Sequence, residues 1–401
     1  MYDPLKEAIE IREQLASDKR KLGFFLGAGS SMAVGLPGIS DLTKSIYEKL
    51  SSPYKELFDS IKKELDGTAN VEDVLNRIRL YRELIGNSET FEDGGIKGKD
   101  AGKKLDVEVC KAIADAVSTT PNIKPHEILA HWIRSLHANR EYPVEIFTTN
   151  YDLLIEQALE QVQVPYFDGF VGAVAPFFVQ ESIDARTKKD EGLNYYPPKS
   201  WTRVWKLHGS INWYFNDSTK SICRCSGKSK LDGQELMIFP SREKYAQSRK
   251  LPFIALQDRL RNFLAIGETL LIILGYSFSD EHLNDIIFQC MRSNPHLSVM
   301  AFIHKNLSTE FEEYGKNNRK LILYAPDKLC VGGVSSAWKE PDNKDKEVED
   351  WHVWNTKKKE FLLGDFNEFA SYIEAFIGFN ITSNPSLTES QISEKPSVRK
   401  T

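Results

Sequence analysis

The sequence predicts an α/β fold: a Rossmann-like, mainly parallel sheet with helices on both faces, plus a helical insertion after the first strand–helix unit. Three observations predict it. Short apolar runs at 22–26, 144–147, 203–207, 269–274 and 297–303 alternate with helical periodicities, and such alternation implies parallel strands joined by crossover helices. The first run ends in Gly27-Ala28-Gly29-Ser30-Ser31, the form of a buried strand entering a ligand-facing turn. From 53 to 138 the periodicity is helical instead, which places an insertion between two strands.

Leu5, Ala8, Ile9, Ile11 and Leu15 predict a first helix, followed by the strand at 22–26. Ile39, Leu42, Ile46, Tyr47 and Leu50 mark the next helix, with Ser40 and Asp41 near its start. A helix beginning near Ser31 or Ile39 would aim its positive end at a pyrophosphate. In the insertion, Leu57, Phe58, Ile61 and Leu65 form one stripe, and Val71, Val74, Leu75, Ile78, Tyr81 and Leu84 another. The polar stretch 86–102 holds five glycines and is expected to be a mobile loop. Helices at 104–117 and 126–136 complete the block.

The strand at 144–147 precedes a helix carrying Leu153, Leu154, Ile155, Ala158 and Leu159. Segments 211–215, 221–225 and 236–239 read as a small antiparallel excursion after the strand at 203–207. Helices at 252–266 and 281–291 alternate with the last two strands. Residues 326–360 are polar and read as a surface insertion, 361–379 as a last helix, and the tail from Ser383 as disordered. The expected organisation is therefore 1–52 with 140–325 as the Rossmann domain and 53–139 as the inserted helical subdomain. A C-terminal insertion and helix at 326–380 and a tail at 381–401 follow.

Composition narrows the function. The chain has 401 residues, 41% hydrophobic and 27% charged, ordinary for a globular protein. No apolar run reaches about 18 residues, and the polar start Met1-Tyr2-Asp3-Pro4 is not a signal peptide. No membrane partner and a cytoplasmic location are expected. The net charge of -5 argues against nonspecific nucleic-acid binding, and Lys97, Lys99, Lys103 and Lys104 read as a solvated loop. The five cysteines fit a reducing compartment. Only Cys223 and Cys225 form a close pair, so no metal is expected. There is neither a P-loop nor a Gly-x-Ser-x-Gly elbow. His126, His131 and His282 read as structural.

In open parallel sheets, ligands bind beyond the carboxyl ends of the strands. Four predicted strand ends carry small, polar or titratable residues: Gly27-Ala28-Gly29-Ser30-Ser31, Thr148-Thr149-Asn150-Tyr151-Asp152, His208-Gly209-Ser210, and Gly275-Tyr276-Ser277 with Asp280.

This ordered set resembles the sirtuin family, over a frame from about residue 20 to about residue 305. Two departures matter. Protein-deacylating sirtuins carry a Pro-Asp-Phe-Arg segment after the first loop, where this chain has Gly35-Leu36-Pro37-Gly38-Ile39-Ser40-Asp41-Leu42. They also carry a four-cysteine zinc module after the His-Gly, missing here. The chain is more similar to the sirtuin-like, NAD-degrading effectors of bacterial antiphage defence. That resemblance implies NAD as the substrate and an NAD glycohydrolase releasing nicotinamide and ADP-ribose. It further implies gating by homo-oligomerisation or by a partner such as a HerA-type ATPase or another phage sensor. The rival readings are a module that binds NAD or ADP-ribose without turnover and an NAD-dependent protein deacylase.

Cutting the N-glycosidic bond of NAD passes through an oxocarbenium-like centre and expels a neutral leaving group, so it needs a placed water and a base rather than an acid. Asn150, able to donate and accept, would place the water or a ribose hydroxyl. Asp152 would hold the carboxamide. His208 is the candidate base, since imidazole titrates near neutral pH. Gly27, Ala28, Gly29, Ser30, Ser31, Thr149, Gly275, Ser277 and Asp280 are the candidate NAD-binding residues. Trp201, Trp205 and Trp213 would build core or cleft wall.

Overall fold

A computed structural model of the chain describes residues 1–90, 92–118, 122–136, 140–183, 197–198, 200–225, 236–238, 251–341 and 351–377. α1 (Pro4–Ala16) leads into β1 (Lys21–Leu26), then α2 (Ala28–Met32), α3 (Ile39–Lys49), α4 (Ser52–Glu64) and α5 (Val71–Ile85). The hairpin β2 (Glu92–Asp93) and β3 (Ile96–Lys97) separates these from α6 (Gly98–Val117) and α7 (Lys124–Leu136). β4 (Val144–Thr148), α8 (Leu154–Gln161), β5 (Tyr166–Phe167), β6 (Phe170–Val171), β7 (Phe177–Phe178) and β8 (Thr202–Lys206) follow. Next come β9 (Gly209–Asn216), β10 (Ser221–Arg224), β11 (Leu236–Ile238), α9 (Phe253–Ala265), β12 (Thr269–Leu274) and α10 (Glu281–Ser293). β13 (Leu297–Phe302), α11 (Thr309–Asn317), β14 (Leu321–Tyr324), β15 (Lys328–Val331) and β16 (Val334–Ala337) continue the chain. β17 (Trp354–Asn355), β18 (Glu360–Phe361) and α12 (Phe366–Glu374) complete it.

The main sheet has nine strands in the order β16-β15-β14-β13-β12-β1-β4-β8-β5. The run from β14 to β5 is parallel throughout, and β15 and β16 extend it antiparallel. The fold is therefore α/β with a large, mainly parallel sheet. Alternation along each strand divides the core between the two faces. Leu22, Phe24 and Leu26 of β1, with Leu270, Ile272 and Leu274 of β12, enter a core shared with α1, α3, α7, α8 and α12. Phe25, Leu271 and Ile273 point into the other, against α9 and α10. The apolar side chains of α4, α5 and α6 are continuous with the first core. A second sheet, β11-β9-β10-β7-β6, is antiparallel and stands beside the end of β8.

Three expectations are corrected. The glycine-rich stretch 86–102 is not one loop: β2 and β3 pair, and α6 starts at Gly98. Gly94 and Gly95 both take positive φ, 55° and 77°, as a tight two-residue hairpin turn requires. The last helix is shorter than 361–379, because Phe361 pairs with Trp354 in a hairpin and Asp365 caps α12. Segment 326–360 is more than a surface insertion, since β15 and β16 add to the main sheet and bury Leu329 and Cys330. The expected disordered tail lies outside the described residues.

Candidate active site

β1 lies at the middle of the sheet, with β4 and β8 following on one side and β12, β13 and β14 on the other. The chain reverses its direction across the sheet between β1 and β12. Such a switch point opens a crevice at the carboxyl ends of the strands, where all four sequence motifs emerge.

The glycine turn is fitted to a neighbouring turn. Gly27 N–H donates to Leu274 O at 2.9 Å, and Gly29 N–H to Gly275 O at 2.8 Å. A Cβ on Gly27 would sit 2.5 Å from Gly275 O, one on Gly29 2.6 Å from Gly275 Cα, and one on Gly275 2.4 Å from Ser30 N. Gly275 also takes φ +65°. These glycines let two backbones interlock, and two of their N–H groups serve that contact. α2 begins at Ala28 and has five residues, so it carries little dipole. Ala28 is exposed at the turn.

Asn150 is tied to this turn. Its Nδ2 donates to Gly27 O at 3.0 Å, Ser30 Oγ at 3.1 Å and Ser31 Oγ at 2.9 Å. Ser31 Oγ donates in turn to Asp152 Oδ2 at 2.6 Å, and Asp152 Oδ1 caps α8 through Leu154 N at 3.0 Å. Thr148 Oγ1 bridges the two strands, donating to Leu26 O at 2.8 Å and accepting from Asn150 N at 3.0 Å. Thr149 N–H reaches Leu26 O at 3.3 Å. Among the described residues none donates to Asn150 Oδ1, which leaves it an acceptor for a ligand hydroxyl or water.

His208 follows β8, two strands from β1. Its Nε2 lies 2.9 Å from Asp280 Oδ2, although Asp280 follows β12 on the far side of β1. β12 and β8 are three strand spacings apart, about 14 Å, so the segments around 276–280 and 208 close over the ends of β1 and β4. Asp280 also caps α10 through His282 N at 3.0 Å and Leu283 N at 3.3 Å. Burial opposes its ionisation, yet the hydrogen bond and charge of His208 and these two N–H groups hold its carboxyl below the ordinary value. An ionised carboxylate only accepts, so a neutral His208 must donate from Nε2 and carry its lone pair on Nδ1. No described residue pairs with Nδ1.

The segment 275–280 is itself anchored. Phe278 takes φ +55° while buried, packed among Tyr276, Phe288, Phe311 and Tyr314. Asn284 Nδ2 donates to Phe278 O at 2.6 Å, and Asn284 Oδ1 accepts from Tyr276 OH at 3.0 Å. Ser277 is exposed, with its hydroxyl 2.9 Å from Ser279 Oγ. Trp205 and Trp213 are buried in the second core, whereas Trp201 is half-buried.

Beside Asn150 is a cleft lined by Ser30, His126, Thr148, Asn150, Asp152 and Lys206, with room for about one water molecule. His126, read from the sequence as structural, faces it from α7. Its Nδ1 is buried without a partner among the described residues. Burial lowers its pKa to about 4, partly offset by the Asp152 charge. Lys206 was not anticipated either, although a lysine in the apolar run Val204-Trp205-Lys206-Leu207 is the signal that could have found it. Tyr151 also reaches beyond the loop: its OH donates to Glu72 Oε1 of α5 at 2.8 Å. Among the described residues no group of three or more His, Cys, Asp or Glu could hold a metal, and no helix is long and apolar enough to cross a membrane.

A family model described as a SIR2-like domain matches residues 144–323, which include Asn150, Asp152, His208, Gly275 and Asp280 but not the first glycine turn. Similar solved structures include Sir2Tm bound to a propionylated peptide, at 15% identity over 75% of this chain and 86% of that chain, TM-score 0.35. A Sir2 structure with a deacetylated p53 peptide and 3'-O-acetyl ADP ribose is 17% identical over 76% and 89%, TM-score 0.34. Sir2 bound to acetylated peptide is 15% identical over 73% and 86%, TM-score 0.33. No curated protein matches the chain significantly.

Proposed function

We propose that the chain is an NAD glycohydrolase. NAD and water give nicotinamide, ADP-ribose and a proton. The observation that carries this reading is that the carboxyl ends of the neighbouring parallel strands β1, β4, β8 and β12 bear both Asn150, fastened to the glycine turn, and a His208–Asp280 pair. The glycine turn, Thr149 and the 275–280 segment form the NAD cradle. Asn150 Oδ1 accepts from the attacking water or a ribose hydroxyl. His208 Nδ1 takes the proton from that water as the bond from nicotinamide to the ribose breaks, and Asp280 steadies the imidazolium. Asp152 holds the Asn150 turn and is the acceptor for the carboxamide.

Such an activity drains the cell of NAD, so it is gated. By its resemblance to antiphage effectors, the chain works as a homo-oligomer or with a phage-sensing partner such as a HerA-type ATPase. The test is nicotinamide release from NAD by the purified chain, alone, with a candidate partner, and with an acyl-lysine peptide. Release without peptide supports the proposal. Release only with peptide selects a deacylase, and tight NAD binding without release under all conditions selects a sensor.

A further inference from the structure

We infer that Lys206 is a positioning residue for the Asn150–Asp152 turn, acting through its buried ammonium without touching Asn150. The inference rests on the proposed NAD cleavage for its kinetic readout only.

Lys206 is the last residue of β8, two before His208, and its side chain is 2% exposed. Strand alternation sends Val204 and Lys206 to the α7–α8 face, while Trp205 enters the opposite core. An ammonium in that position is costly unless it is both paired and hydrogen-bonded. It meets both conditions on one turn of chain. Nζ donates to the Asp152 carbonyl oxygen and lies 3.0 Å from Glu156 Oε1. The two partners are four residues apart, at the start of α8, so one cation clamps the entry of the helix from both sides.

The clamp reaches Asn150 through an ordered relay. Asp152 Oδ2 accepts from Ser31 Oγ, and Ser31 Oγ accepts from Asn150 Nδ2. Each group has one orientation that satisfies both neighbours. Releasing the Asp152 carbonyl frees the turn to move, and a displacement of about 1 Å at a reacting group is enough to cost about 100-fold in rate. A methionine or leucine at 206 would fill the same space without fixing the carbonyl, which distinguishes positioning from packing.

The variants are Lys206→Met, close in length, and Lys206→Met/Glu156→Gln. The double variant removes the buried carboxylate charge that the single one would strand, whose Oε2 already lacks a partner among the described residues. Glu156→Gln alone is the control. The double variant should melt within a few degrees of the wild type, since neither charge is left buried alone, and relative to the control should keep its KM for NAD within about threefold and lose about 30-fold or more in kcat. Amide hydrogen exchange at 149–155 should accelerate about tenfold or more, with β1 and β12 unchanged. A double variant with kcat within twofold of the control and unaltered exchange at 149–155 overturns the positioning role. If the wild-type chain releases no nicotinamide, the functional proposal falls, and the exchange measurement alone decides on Lys206.

Discussion

Asp280 and His126 are both buried titratable groups, and their shifts act on stability in the same direction on acidification but over different ranges. A carboxyl lowered in the folded state, as Asp280 is by His208 and the α10 N–H groups against its burial, stabilises the fold above its unfolded value near 3.9. That contribution is lost as pH falls through the folded value. His126 is held at about 4 by burial. Its unfolded form gains a proton near pH 6.5 while the folded form does not, so stability falls between about 6.5 and 4. From pH 7 to pH 5 the His126 share is about 2 kcal/mol. Urea unfolding at the two pH values should show that loss in the wild type and lack it in His126→Gln. An equal pH dependence in both would place the titrating group elsewhere. For the reaction, His208→Ala should lower kcat by about 100-fold or more, read by nicotinamide release; it also leaves the buried Asp280 carboxyl without its partner, so its melting temperature should fall.

At the scale of elements, the two interlocked turns after β1 and β12 are the least forgiving part of the site. Gly275→Ala places a methyl against Ser30 N at a backbone φ of +65°. Gly29→Ala meets the Gly275 Cα, and backbone cannot swing aside as a side chain can. Each should cost about 2 kcal/mol or more, seen as a lower urea midpoint, and each should weaken NAD binding. The strands that carry these turns were legible because buried parallel strands read as unbroken apolar runs: 269–274 coincides with β12, and 22–26 misses β1 by one residue. The motifs at their ends were legible because glycine, asparagine and histidine stand out from such runs. What the glycines do besides facing a ligand was not: their close contact with the turn after β12 joins segments about 250 residues apart and leaves no mark in the sequence. β6, β7, β15 and β16 escaped because two- to four-residue strands have no periodicity to read. The Lys206–Glu156 and Tyr151–Glu72 pairs escaped because they join segments 50 and 79 residues apart.

Over the whole molecule, the inserted helices and the small antiparallel sheet are fastened to the site rather than appended to it. Tyr151, between Asn150 and Asp152, holds Glu72 of α5 with its hydroxyl, and its carbonyl accepts from Ile211 N of β9 at 3.1 Å. Burial and Glu72 keep that phenol far above its ordinary pKa, hence a donor. Arg79 of α5 pairs with Asp106 of α6 at 2.9 Å, and its Nη1 donates to Ile238 O of β11 at 2.7 Å. Asp106 is also paired with Arg82. Asp106→Ala would leave the Arg79 guanidinium buried without its carboxylate and should destabilise the chain by about 3–5 kcal/mol, measured by urea unfolding.

The reacting ribose is proposed to sit at the carboxyl ends of β1, β4 and β8. A crystal structure of the chain with ADP-ribose decides this. The terminal ribose is expected within hydrogen-bond reach of Asn150 Oδ1 and His208 Nδ1, with the pyrophosphate over the 27–31 turn. A terminal ribose away from both side chains would contradict it.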